Sequence, residues 1–307
     1  MIFKSIKSGI SLLKQNKRLI LIYYLANFLF GIVLMLPFRS IVNKFAGNSL
    51  MSNTLAGRMD MDFLFEFFKQ NSSIIPTYAA LLFLVPAIFW LFTLFLSGGA
   101  FTIFTSGEEY TSTLFWGNAA RYFGRFIRLV LWSIPVFAIL FCLQFLWSAI
   151  QRIFWGSDPY QYITFWGGWI KMGLRYISII LYFIILDYSR IHAVVTDEKR
   201  MRISLWQGIK FAFGNFWKTF GLALIFFIVG MIALIIYNLI ANLLHAPSAI
   251  VILLLFLWQQ VYMAWRMVLK LTLYGSEVKM FQAINSQQEE TDVLAEDNGY
   301  EVEGAVA

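Results

Sequence analysis

Six stretches of this chain are continuously apolar over roughly the twenty residues that a helix needs to cross about 30 Å of hydrocarbon. They fall near residues 19–38, 78–96, 127–150, 172–192, 220–243 and 248–270. Inside hydrocarbon every backbone N–H and C=O must be satisfied within the protein, which leaves helices and closed barrels as the only spanning forms. Barrel strands alternate apolar and polar residues, and these runs do not. The expected class is therefore an all-α membrane protein with six transmembrane helices. Composition agrees, because 60% of the 307 residues are hydrophobic and only 13% charged, against about a quarter charged in soluble domains. Residues 1–285 read as the six-span domain and residues 286–307 as a disordered acidic tail, polar and without periodicity.

Lys4, Lys7, Lys14, Lys17 and Arg18 precede the first apolar run, as in a secretory signal. That run is longer than a signal's apolar core and ends at Pro37-Phe38-Arg39-Ser40 without a small-x-small cleavage site, so it is expected to stay as a span. Cys142 is the only cysteine, and His192 and His245 are the only histidines. An internal disulfide is impossible, and no metal site or cofactor is expected.

Loop cations set orientation, since Lys and Arg are retained on the cytoplasmic side. The amino-terminal segment, residues 97–126, residues 193–219 and the end of the last span hold most of them. In the intervening connections Arg39, Lys44, Arg58 and Lys69 are offset by Asp60, Asp62 and Glu66, and the connection around His245 has no cation. Both termini are thus expected in the cytoplasm of a bacterium, with the protein in its inner membrane. The net charge of +7 hides a separation, because removing the seven tail acids from Glu289 to Glu303 leaves +14 for the rest. That excess suits anionic lipid headgroups, and no nucleic-acid partner is needed to explain it. Tryptophans near span ends, Trp147, Trp155, Trp166 and Trp169 among them, fit an interfacial belt. Residues 60–70 read either as a short surface helix or as an ordinary loop helix.

A unit recurs three times: a basic amphipathic segment with an early glycine, leading into two apolar runs. Its copies begin at Ile6-Lys7-Ser8-Gly9, Leu114-Phe115-Trp116-Gly117 and Leu205-Trp206-Gln207-Gly208. In the second, Arg121, Arg125 and Arg128 form one stripe while Phe115, Ala119, Tyr122 and Phe126 form another. Lys17 and Arg125 both fall eight residues after their glycine. The pattern predicts three parallel repeats about an axis along the membrane normal, with amphipathic helices on the inner leaflet. Lys14, Lys17, Arg18, Arg121, Arg125, Arg128, Lys210 and Lys218 are the expected contacts to anionic lipid.

Ionisable residues within spans are the default candidates for a site. Asp187 and Arg190, at i, i+3, either pair structurally or serve function. Gln259, Tyr262, Arg266 and Lys270 share a helical face, which either lines a polar path or packs and snorkels. Pro86 and Pro135 should kink the second and third spans, and Ser97-Gly98-Gly99-Ala100 favours close helix approach. No Gly-x-Ser-x-Gly, no His-Glu-x-x-His and no phosphate loop is present, so the chain is not expected to be an enzyme.

Gly107-Glu108-Glu109-Tyr110, Asp187-Tyr188-Ser189-Arg190-Ile191 ahead of Leu205-Trp206-Gln207-Gly208-Ile209-Lys210, and the closing Leu273-Tyr274 resemble a broad group of bacterial inner-membrane proteins. The group includes the membrane domain fused to some glycerophosphodiester phosphodiesterases, and the resemblance covers most of residues 1–280. The catalytic barrel of the fused proteins has no counterpart here, so it implies a helical membrane domain without hydrolase activity. The functional expectation is a lipid-associated protein handling amphiphilic molecules, with a secondary transporter and an interaction subunit using the acidic tail as alternatives. Topology reporters fused to either terminus are expected to register the cytoplasm; a signal from the opposite side would overturn the charge argument.

Overall fold

The computed structural model describes residues 1–47, 61–70, 72, 75–156, 160–244 and 248–304, with side chains described as far as Gln287. Arg58, Asp60 and His245 lie outside these residues, as do the side chains of the acidic tail. Among the described residues the regular elements are helices: α1 (Ile2–Gln15), α2 (Arg18–Ala46), α3 (Met61–Gln70), α4 (Ile75–Ser106), α5 (Ser112–Phe141), α6 (Leu143–Trp155), α7 (Gln161–Val195), α8 (Met201–Gly214), α9 (Phe216–Leu243) and α10 (Ala249–Gly304). Six stretches are long and apolar enough to cross a membrane: Arg18–Phe45, Pro76–Ser106, Ser112–Trp155, Gln161–Val195, Phe216–Leu243 and Ala249–Gln287. The chain is a multi-pass helical membrane protein. Side chains such as Phe83 (75% exposed) and Ile139 (72%) stand open along these helices, which is stable only against lipid.

The helices overrun the apolar runs read from sequence. The helix α2 continues through Pro37 to Ala46, where the sequence reading ends the span. An internal proline is tolerated because a spanning helix keeps most of its backbone bonds and has no water to compete for them. The third span is α5 and α6 together, interrupted at Cys142, whose N–H still bonds to Ala138 O at 3.1 Å. The backbone of α10 is helical to Gly304, and the disorder expected from residue 286 falls where side chains are not described.

The chain forms two compact units, one of Met1–Gln15, Gly98–Ile225 and Thr272–Ala307, the other of Asn16–Ser97 and Phe226–Leu271. In the second unit, α3 buries Phe63 and Phe67 against Ile41, Val42 and Phe45 of α2. Phe45 meets both rings edge-on at 5.6 and 5.3 Å. Residues 61–70 are therefore held by packing on α2. A groove of about 190 Å³ lies beside Pro86, lined by Asn27, Phe30, Leu34, Val85 and Phe89.

The first unit is built on close approach between amphipathic segments and span ends. A Cβ on Gly9 of α1 would collide with the Ser276 hydroxyl of α10 and stand 2.7 Å from its backbone nitrogen. A Cβ on Gly208 of α8 would strike the Ser189 hydroxyl of α7 and stand 2.8 Å from its nitrogen. In the middle segment the small residues sit on the span instead. Gly99 of α4 lies under Phe115 of α5, where a Cβ would stand 2.6 Å from the Phe115 carbonyl, and Gly98 faces Asn118 and Ala119. Gly117 has nothing within 4 Å, so it does not share the role of Gly9 and Gly208.

The segments also differ in how they enter their spans. Seven residues after Gly9 and Gly208 stand Asn16 and Asn215, where α1 ends before α2 and α8 ends before α9. Seven after Gly117 stands Gly124, and there α5 runs on unbroken. The second segment is therefore the first half of a spanning helix rather than a separate surface helix. Helical alanine outranks glycine by about 1 kcal/mol where space is open, which separates the glycines experimentally. Gly9→Ala and Gly208→Ala are expected to lower the thermal midpoint in detergent, while Gly117→Ala leaves it unchanged or raises it. Equal effects at all three would contradict the packing.

Candidate functional site

The first unit buries a group of ionisable side chains where the last turns of α4 and α7 meet the middle of α10. Asp187 (6% exposed) and Arg190 (7%) lie one turn apart on α7, and Glu277 (2%) lies on α10. The Arg190 guanidinium donates through Nη2 to Asp187 Oδ1 and through Nε to the Leu186 carbonyl at 3.3 Å. Its carbon lies 5.6 Å from the centre of the Phe101 ring of α4, a cation–π contact strengthened by the absence of water. Phe101 in turn packs on Tyr274 of α10 at 4.6 Å between centroids, and Arg190 is within hydrogen-bonding reach of the Tyr274 oxygen. Tyr188, wholly buried, donates to the Met280 sulfur at 3.4 Å. Glu277 feels the charges of both Asp187 and Arg190, yet its Oε2 is buried without a hydrogen-bond partner among the described residues.

Sequence reading found Asp187 and Arg190 but missed Glu277, Tyr274 and Phe101 as their neighbours. The signal was present. Lys270, Tyr274 and Glu277 continue along α10 at i, i+4 and i+7, on the face already noted for Gln259, Tyr262, Arg266 and Lys270. The apolar run ends at Lys270, which places Glu277 beyond the span in a reading from sequence. The earlier part of that face belongs to the other unit. Gln259 and Arg266 are exposed there, Tyr262 stacks on Tyr237 at 4.7 Å, and Lys270 lies 5.7 Å from the Tyr23 ring.

The cations expected at lipid headgroups divide into two sets. Arg121 and Arg125 clasp Asp197 in the connection between α7 and α8, at 2.5 and 2.7 Å, and the Tyr122 hydroxyl donates to the same carboxylate at 3.1 Å. Arg125 also donates to the Asp197 and Glu198 carbonyls. Arg128 is exposed and turns Nε back to the Gly124 carbonyl at 3.3 Å. Lys14, Lys17, Arg18, Lys210 and Lys218 are exposed, with Lys210 5.9 Å from the Trp206 ring.

Asp197 adopts φ +50°, a left-handed conformation that costs a non-glycine residue about 1–2 kcal/mol. Gly107, eight residues after Gly99, has φ +72° at the end of α4, and Asp197 stands eight residues after Ser189 at the end of α7. The turn at this place suits glycine, and the aspartate there is held by its arginines. The hydrogen bond from Arg125, then that from Tyr122 and the charges of Arg125 and Arg121, keep its carboxyl below the usual range despite partial burial. Its stabilising effect is therefore present at neutral pH and lost as pH falls through that lowered value. Glu198 is likewise lowered, chiefly by the Arg200 backbone N–H.

No family model, curated protein or solved structure matches the chain. Replacing Asp197 separates its two properties. Asp197→Ala loses the arginine contacts and keeps the positive φ, whereas Asp197→Gly loses the contacts and relieves the strain. The glycine variant is expected to be more stable by about 1 kcal/mol in thermal unfolding, and identical midpoints would count against a strained turn.

Proposed function

We propose that the chain is a non-enzymatic protein of the bacterial cytoplasmic membrane, with both termini cytoplasmic, that associates with anionic lipid and organises or moves amphiphilic molecules. The observation that carries this reading is the second face of its amphipathic helices. The helix α1 buries Ser5, Gly9, Leu12 and Leu13, and still exposes Phe3 (80%) beside Lys4, Lys7 and Lys14. After α8 has buried Met201, Ser204, Leu205, Gly208 and Ala212, Trp206, Phe213 and the following Trp217 (82% exposed) stand open among Arg202, Lys210 and Lys218. Rings and cations interleaved on the side away from the protein match a helix seated at a membrane surface. Each Lys or Arg near an anionic leaflet adds about 1 kcal/mol.

Arg121 and Arg125 already serve Asp197, so the lysines are the informative targets. Replacing Lys14, Lys17, Lys210 and Lys218 together by glutamine is expected to reduce anionic lipid retained on the purified protein, measured by native mass spectrometry. Arg121→Gln is expected to act weakly. Lipid content equal to that of the parent would sink the reading. A second reading, secondary transport, draws on the buried charges around Asp187 and Arg190 and on the polar face of Gln259, Tyr262, Arg266 and Lys270.

A further inference from the structure

From the buried charges near the end of α7 and in the middle of α10 we infer that this unit binds one exchangeable monocation, a proton or an alkali ion, at the Glu277 carboxylate. The argument begins with charge. Asp187 and Glu277 bring two carboxylates and Arg190 one guanidinium, so the ionised set carries one uncompensated negative charge. Arg190 commits its Nη2 to Asp187 and its Nε to the Leu186 carbonyl, while Glu277 Oε2 has no hydrogen-bond partner among the described residues at 2% residue exposure. A lone carboxylate taken out of water is too costly to persist; it acquires either a proton or a counter-ion.

The other neighbours leave that deficit in place. Tyr188 and Tyr274, which share the core and interact with Glu277, are neutral phenols. Phe101 contributes a ring from α4, and α1 contributes Gly9 beside Gly275 and Ser276. His192, further along α7, packs edge-on to Phe281 and interacts with Glu198. Lys279 donates to Gln282 at 3.0 Å.

The charges are also not a general requirement of these packing positions. Gly99, Ser189 and Ser276 are the residues that meet the amphipathic segments, and setting them in register aligns Ser97 with Asp187 and Tyr274. The same register aligns Ala100 with Arg190 and Glu277. On α4 the buried places hold Ser97 and Ala100, both at 0% exposure. Small neutral side chains therefore fill this packing position adequately. The acid on α10 is retained at a desolvation cost that packing does not explain, and cation exchange gives it a use.

The test uses the full chain in nanodiscs and compares it with Glu277→Gln and Asp187→Asn. Each substitution brings the set to zero net charge, in the second case by leaving Arg190 to neutralise Glu277. The parent's thermal midpoint is expected to fall as pH rises, or to rise when choline chloride is replaced by sodium or potassium chloride at equal ionic strength. Both variants are expected to lose that dependence, with Glu277→Gln matching the loaded parent. An infrared band of a protonated carboxyl, present in the parent and missing from Glu277→Gln, identifies the proton; dependence on sodium or potassium alone identifies the alkali ion. A parent insensitive to all three cations and without that band overturns the proposal, as does a dependence that survives in Glu277→Gln.

Discussion

Close approach between amphipathic segments and span ends is the contact on which the first unit rests. In hydrocarbon there is no hydrophobic gain from bringing two helices together, so dispersion contacts and backbone proximity must supply the attraction. Gly9 against Ser276, Gly208 against Ser189 and Gly98-Gly99 against α5 remove the side chains that would hold the helices apart. With the segments seated there, Phe101, Tyr188 and Tyr274 close over Asp187, Arg190 and Glu277. The burial of those charges is thus a product of packing by residues that carry no charge themselves.

Hydrophobic length made the spans legible, because hydrocarbon sets a minimum that neither loops nor soluble helices need meet. The helix ends were less legible. From residue 97 onward α4 is covered by protein rather than lipid, and the serine, glycines and threonines there lower the apolar signal although the helix continues to Ser106. The same substitution of protein for lipid hid Glu277, since an acid beyond the last apolar residue ordinarily marks the water boundary. Asp187 and Arg190 were legible as a pair because i, i+3 spacing fixes their proximity without tertiary information.

The basic stripe on α5 was visible as periodicity, but its partner was not. Asp197 lies 72 residues beyond Arg125 in sequence, and no local rule connects them. Equally, the three glycines looked alike in sequence, whereas only tertiary contact distinguishes Gly9 and Gly208 from Gly117. The same segment that lacks the glycine contact also lacks the asparagine break, so its departures from the other two occur together.

That unbroken passage through Gly124 gives α5 a mechanical character of its own. A helix of 30 residues is about 45 Å long, and Arg121 and Arg125 tie it near its middle to the α7–α8 connection. The Asp197 turn is therefore joined to the spanning helix itself and not to a separate surface helix. At the corresponding places Asn16 and Asn215 separate α1 from α2 and α8 from α9. One of the three segments is therefore continuous with its span, and the other two are jointed to theirs.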